Sequence, residues 1–263
     1  MGMYCMWSVY DKLISGIPED LTADLIAVGR TMAIVVNKMG AGLSDVFEWD
    51  TRPLTMKGSL IGAPLRSVAG LVKSWNFPEA SIGLAAINSY YNSPEIAQNN
   101  GVVLSDLYSK EKLNDPFIAL QEEVSGKKVA SVGYFPNMAD YIKDADELFV
   151  IEWEPSLPGQ YPYTSCEYII PECDYVFISS KSLMNKSLPR LLELSKGARK
   201  TILAGPATPL APCLLETSIC NLSGFVITDS RLAHWIVSGA DSTRIFRSGQ
   251  KVSLKRNEAG ICF

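Results

Sequence analysis

The sequence predicts an α/β protein in two parts, an α+β domain over residues 1–124 and a mainly parallel, three-layer α/β domain over residues 125–263. Three observations carry this reading. Before residue 125, a pair of alternating strands is followed only by helical segments, the order of an α+β unit. From Lys127 onward, short continuous apolar runs alternate with helical patterns, which indicates a parallel sheet covered on both faces. The chain has 263 residues, 47% of them apolar and 20% charged, enough material for a packed core and too much for wholesale disorder.

The first part opens with a short helix, MWSVYDKLIS. The alternation in ADLIAVG and TMAIVVN predicts a hairpin turning around Gly29–Arg30 and packed on one face. MGAGLSDVF is expected to be a glycine-rich loop. In PLRSVAGLVKSW, Pro64 takes a first helical position, and Leu65, Val68, Ala69, Leu71 and Val72 repeat with helical spacing. FPEASIGLAAINSYYN is a second helix opened by Pro78, and DPFIALQEEVSG a third, with Pro116 early and Gly126 just past its end.

The second part alternates. KKVASVGYF is a strand, MADYIKDA a short helix, and ELFVIEWEP a strand stopped by Pro155. SLPGQYPYTSCEYIIPE is proline-rich and irregular, with room for a short helix. CDYVFISS is the third strand, SLPRLLELSKG a helix, KTILAGP the fourth strand, PCLLETSIC a helix, FVITD the fifth strand and RLAHWIVSG the closing helix. The tail TRIFRSGQKVSLK is expected to add a final hairpin.

Composition narrows the function. A net charge of −4 argues against nucleic acid bound through a broad basic face. No run approaches the roughly 18 apolar residues of a membrane helix, and the start lacks a secretory pattern, so a cytoplasmic protein with no membrane partner is expected. The six cysteines, Cys5, Cys166, Cys173, Cys213, Cys220 and Cys262, include no C-x-x-C pair and read as free thiols. His234 is the single histidine, in an apolar helix. Chemistry therefore falls to carboxylates, amides, hydroxyls and backbone. Nothing fixes the oligomeric state, and a homo-oligomer is admitted.

In an open parallel sheet, ligands bind beyond the carboxyl ends of the strands. The first tip is Gly133, Tyr134, Phe135, Pro136 and Asn137. The second carries Glu152 and Glu154, which share a face if the segment stays extended and could together hold a cation. The third carries Ser179, Ser180 and Lys181, the fourth Gly205, Pro206 and Thr208, the fifth Thr228, Asp229 and Ser230. Gly133 stands nineteen positions before Glu152, close to the step between the glycine turn and the ribose-binding acid of nucleotide folds. The second and third glycines of that motif are absent, and Pro136 removes an amide donor, which opposes a dinucleotide site. Pro206, Pro209 and Pro212 stiffen the fourth tip. Asn185 precedes a helix start with Ser187 as its cap and Pro189 just inside, and Asn88 near the end of its helix reads by itself as a cap.

GLAAIN, VIEWEP, ISSKSLMNKSLPRLLEL, ILAGPATPLAP and GFVITD together resemble the bacterial and archaeal heavy-metal chelation family, long catalogued as a domain of unknown function. The resemblance covers almost the whole chain. It implies an N-terminal domain like that of enolase, a Rossmann-like C-terminal domain, and a small-molecule ligand between them. It implies ligand contacts at Asn88 of the Gly-Leu-Ala-x-x-Asn motif, at Asn185, and at the Gly205–Pro206 turn, with Glu152 as the acid after the second strand. Where the family often has Thr-Gly after the third strand, this chain has Ser179-Ser180 followed by Lys181, so ligand identity does not carry over. The resemblance favours an enzyme of condensation or hydrolysis acting on a flavin-, pterin- or siderophore-like chelator, with Glu152 catalytic. The alternatives are a non-catalytic binder of a divalent heavy metal or its chelate, to which Cys166 and Cys173 could contribute, and an adenosylmethionine-dependent methyltransferase.

Overall fold

The computed structural model describes residues 6–47, 51–104, 114–136, 138–239 and 242–256. The predicted hairpin forms, with β1 (Leu25–Val28) antiparallel to β2 (Met32–Asn37). The segment expected to be a glycine-rich loop is instead a third strand, β3 (Gly40–Asp45), paired antiparallel to β2 along its whole length. Its glycine is there for closeness of approach. A Cβ on Gly42 would lie 2.0 Å from the Ser89 nitrogen, so the strand rests directly on the backbone of the helix Phe77–Tyr91. That helix is buried at every position except Pro78 and Tyr90, which explains why its sequence is apolar all round rather than amphipathic. Asn76 caps its N-terminus, its side chain accepting from the Glu79 N–H at 2.9 Å, and Pro78 occupies the first turn.

The second sheet has seven strands: β4 (Lys128–Val132), β5 (Glu147–Glu152), β6 (Gln160–Pro162), β7 (Tyr175–Ser179), β8 (Lys200–Ala204), β9 (Ile219–Ile227) and β10 (Gly249–Lys255). Their spatial order is β10-β9-β8-β7-β4-β5-β6, all neighbours being parallel except β10, which is antiparallel to β9. The sheet order reverses at β4, so its neighbours β5 and β7 diverge to either side and leave a crevice at their carboxyl ends.

Three expectations need correction. The proline-rich segment after β5 contains β6, a short edge strand. The predicted helix PCLLETSIC is only Pro212–Leu215, and β9 begins at Ile219, because Ile219–Ile227 has strand partners on both sides and pairing overrides the local helical pattern. The tail contributes one strand to a pairing with β9 rather than a hairpin of its own, after a 3-10 turn over Ser242–Ser248.

The two sheets share their apolar packing. One cluster runs from Tyr10, Leu13 and Leu84 into Val176, Leu203 and Leu222. The closing helix, Ser230–Gly239, turns its Ala233, Ile236 and Val237 toward Ile34 and Leu43 of the small sheet. Polar ties add direction. Asn92, almost wholly buried, donates to the Thr208 and Phe225 carbonyls at 2.9 and 3.2 Å and accepts from the Leu210 N–H at 2.9 Å. Among the described residues no helix is long and apolar enough to cross a membrane.

Candidate functional site

The carboxyl ends of β4, β5, β7 and β8 converge on two adjoining cavities of about 410 and 460 Å³, and the end of β3 closes them from the small sheet. Asp45, Tyr134, Ser179 and Lys181 form the wall the two cavities share. The tips leave their strands sharply. Gly205 has φ of +127°, and a Cβ there would lie 2.6 Å from the Ser180 hydroxyl oxygen. Glycine at that point thus satisfies both the turn and the crowding.

In the first cavity, Glu152 ends β5 and its Oε1 accepts the Tyr134 N–H, which fixes one carboxylate oxygen against the neighbouring tip. Glu154 also lines this cavity, beyond the end of the strand. Trp153 and Tyr163 supply aromatic walls, with ring centroids 5.0 Å apart, and burial pushes the Tyr163 hydroxyl above its ordinary range. Asn185 and Ser187 complete the rim. Ser187 does not cap its helix through its side chain. Its N–H and hydroxyl instead donate to the Asn185 Oδ1, at 3.0 and 2.6 Å. The Ser182 hydroxyl lines the cavity, is 3% exposed, and has no hydrogen-bond partner.

Asp45 is the residue that sequence reading overlooked. Burial raises its pKa, the positive charge of Lys181 opposes that rise, and burial prevails. It is the single charged side chain in MGAGLSDVF, and that was the available signal. The second cavity holds Phe135, Ser180, Gly205 and Pro206 together with Phe117, Phe225, Phe246 and Lys251, four residues that had not been singled out.

Most of the predicted positions therefore meet. Gly133, Tyr134, Glu152, Ser179, Lys181 and Asn185 surround the first cavity, and Tyr134, Phe135, Ser179, Ser180, Lys181, Gly205 and Pro206 the second. Asn88 and Thr208 line neither, and both are wholly buried. The Asn88 amide donates to the Leu43 carbonyl at 2.7 Å and the Ala207 carbonyl at 2.9 Å. It thus ties the strand that ends at Asp45 to the loop just past Gly205. Asn137, Cys5 and Cys262 lie outside the described residues.

Among the described residues the donor set does not suit a heavy metal held by side chains of this chain. Among the described residues no three His, Cys, Asp or Glu side chains are grouped so as to hold an ion. Cys166 and Cys173 are buried, and desolvation pushes their thiols up to about 12 and about 11, which keeps them protonated at neutral pH.

Comparison with known proteins places this architecture. A protein of unknown function from Desulfitobacterium hafniense, solved by crystallography, is 47% identical and superposes with a TM-score of 0.89 over 96% of this chain and 100% of its own. A second crystal structure of unknown function, from Pyrococcus horikoshii, shares the fold at 20% identity, with a TM-score of 0.73 over 95% of this chain and 99% of that one. An uncharacterized protein of Methanocaldococcus jannaschii is 28% identical over 199 residues, 73% of this chain and 71% of that protein. Two family profiles match, over residues 10–91 and 115–255, and both carry the same description. The longer match, over residues 115–255, is to the domain family to which both solved relatives are assigned, and the chain belongs to the family described as "Putative heavy-metal chelation".

Proposed function

We propose that this protein is an enzyme of condensation or hydrolysis that works on a flat, polar, heteroaromatic metabolite of flavin-, pterin- or siderophore-like chemistry in the first cavity. The observation that carries the reading is the placement of two carboxylates from different sheets, Asp45 and Glu152, around one aromatic-walled cavity. The Trp153 and Tyr163 rings suit a planar π-system, and the adjacent serine and asparagine groups suit its ring nitrogens and carbonyls. Glu152 has one oxygen engaged by the Tyr134 amide, which orients the other for proton transfer. Asp45, raised by burial, holds its proton into a higher pH range than an ordinary carboxyl and so complements Glu152 as a proton donor. The family description accords with this when the metal arrives already held by an organic chelator.

The test is native mass spectrometry of the protein with whatever small molecule co-purifies, followed by incubation of that molecule with wild type and with Glu152→Gln. A bound heteroaromatic metabolite is expected, converted by wild type to a product of changed mass and at least about 100-fold more slowly by the variant. A variant that binds and converts the molecule like wild type removes the proposed role. A bare metal ion as the only co-purifying species removes the substrate class.

A further inference from the structure

The second cavity differs chemically from the first. Asp45, Glu152 and Glu154 face one lysine, Lys181, in the first, whereas the second sets Asp45 and Asp115 against two, Lys181 and Lys251, and is lined by Phe117, Phe135, Phe225 and Phe246. The rings are already arranged against one another. Phe117 and Phe135 have centroids 5.1 Å apart, and Phe225 and Phe246 meet edge to face at 5.5 Å and 88°. A third ring entering between two such pairs finds both faces and edges to contact.

Two of its polar groups are placed to meet a ligand, Lys251 and Ser180. The Lys251 ammonium stands 5.0 Å from the centroid of the Phe246 ring. Its carboxylate neighbour, Asp115, is 3.6 Å away, longer than a charged hydrogen bond, and the other Asp115 oxygen accepts from the Phe117 N–H as the cap of the helix Pro116–Leu120. The ammonium is therefore steadied in place with donors to spare. The Ser180 hydroxyl lines the same cavity, is 1% exposed, and has no hydrogen-bond partner. A buried hydroxyl left unpaired beside an aromatic hollow is an unmet polar demand that a ligand oxygen would satisfy.

We infer that this cavity is a subsite for an aromatic carboxylate, its ring among the four phenylalanines and its carboxylate toward Lys251, with the Ser180 hydroxyl donating to a ligand oxygen. The inference rests on the reading of the first cavity as the heterocycle site, and it adds a second ligand part of different chemistry. Because Asp45, Tyr134, Ser179 and Lys181 wall both cavities, the two parts meet at that wall. They are either two substrates or two ends of one.

Isothermal titration of the full chain with 2-naphthoate and with its neutral isostere 2-naphthamide tests this. Wild type should prefer the acid by about two- to fivefold at low salt, the worth of a partly exposed ion pair, and Lys251→Gln should erase that preference while leaving naphthamide binding unchanged. Phe246→Ala should weaken both probes by about three- to tenfold, the worth of an aromatic contact. Lys251 and Phe246 are partly exposed, so both variants should fold; Lys251→Gln should stay near the wild-type melting temperature, and Phe246→Ala should fall by a few degrees, the loss of its edge-to-face contact with Phe225. Glu152→Gln should leave naphthoate binding unchanged. Equal binding of acid and amide by wild type, or a preference that survives Lys251→Gln, overturns the inference. So does naphthoate binding that is lost in Glu152→Gln, because the probe would then occupy the first cavity. None of these results bears on the Glu152-dependent conversion of the co-purified molecule, so failure here is separable from failure of the proposed function.

Discussion

Asn88 separates a ligand-binding role from a positioning role in a single substitution. Its amide makes two hydrogen bonds inside the protein, to the Leu43 and Ala207 carbonyls, and no part of it reaches either cavity. At about 1 kcal/mol net for each bond, Asn88→Ala should lose about 2 kcal/mol. The void left by the amide adds to this, and removal of the Oδ1, which has no partner, subtracts from it. For a chain of this size that corresponds to a fall of roughly 4–8 °C in melting temperature. Asn88→Asp should be worse at neutral pH, because it keeps the shape but turns a carboxylate oxygen toward two carbonyl oxygens. Differential scanning calorimetry of the three proteins measures the effect, and titration of the co-purified molecule into variant that remains folded measures the other half. Affinity should stay within about twofold of wild type. An unchanged melting temperature together with lost binding would refute the reasoning and return Asn88 to the ligand shell.

Three further outcomes follow from the same contacts. Gly42→Ala would drive a Cβ into the Ser89 nitrogen and the Asn88 carbonyl carbon, at 2.0 and 2.3 Å, and both are helix backbone that cannot step aside. Overpacking of that kind costs about 3 kcal/mol or more, so the variant should be insoluble or strongly destabilised in urea. Asp45 has a raised folded pKa, so between the ordinary carboxylate range and that higher value the native state holds a proton that the unfolded chain has released; stability should therefore fall as pH rises across that window, and Asp45→Asn should flatten that part of a urea-midpoint profile. Glu79 runs the other way. Burial works to raise its pKa, but hydrogen bonds from Ser74, Met56 and Thr55 outweigh burial and lower it, so its contribution is present above the ordinary carboxylate range and lost as pH falls through the lowered value. Glu79→Gln can keep an oxygen on the Thr55 and Met56 N–H groups and turn its NH2 to the Thr55 and Ser74 hydroxyls, which can accept, so it should lose the charge assistance of these bonds, about 1–2 kcal/mol at neutral pH.

The legible parts of this fold were those decided within a few residues. Pro155 marks the end of the β5 tip, and together with the alternation of apolar runs and helices it places Glu152 at the carboxyl edge of a parallel sheet. The apolar runs of β4, β7 and β8 need no distant partner to be recognised, because burial on both faces is written into each. β3 and the start of β9 depart from the local pattern because their conformation is decided elsewhere. Gly40–Asp45 looks like a loop until a helix more than thirty residues later supplies the backbone against which Gly42 fits. The helical look of the stretch around Cys220 yields to strands on both sides.

The same distinction explains the site. Glu152, Ser179, Lys181 and Gly205 reach the cavities by the rule that strand tips converge, which any parallel sheet obeys. Asp45 and Lys251 reach them only because the small sheet and the antiparallel edge strand dock where they do. That docking is tied by two buried amides, Asn88 and Asn92, whose partners are divided between strands (Leu43 of β3, Phe225 of β9) and the loop after Gly205 (Ala207, Thr208 and Leu210), contacts that no local repeating pattern announces. A buried asparagine with several backbone partners costs heavily if any partner is displaced, so it tolerates one arrangement of the two sheets and penalises its neighbours. The motif asparagine Asn88 therefore ties the strand that ends at Asp45 to the loop just past Gly205 while lining neither cavity.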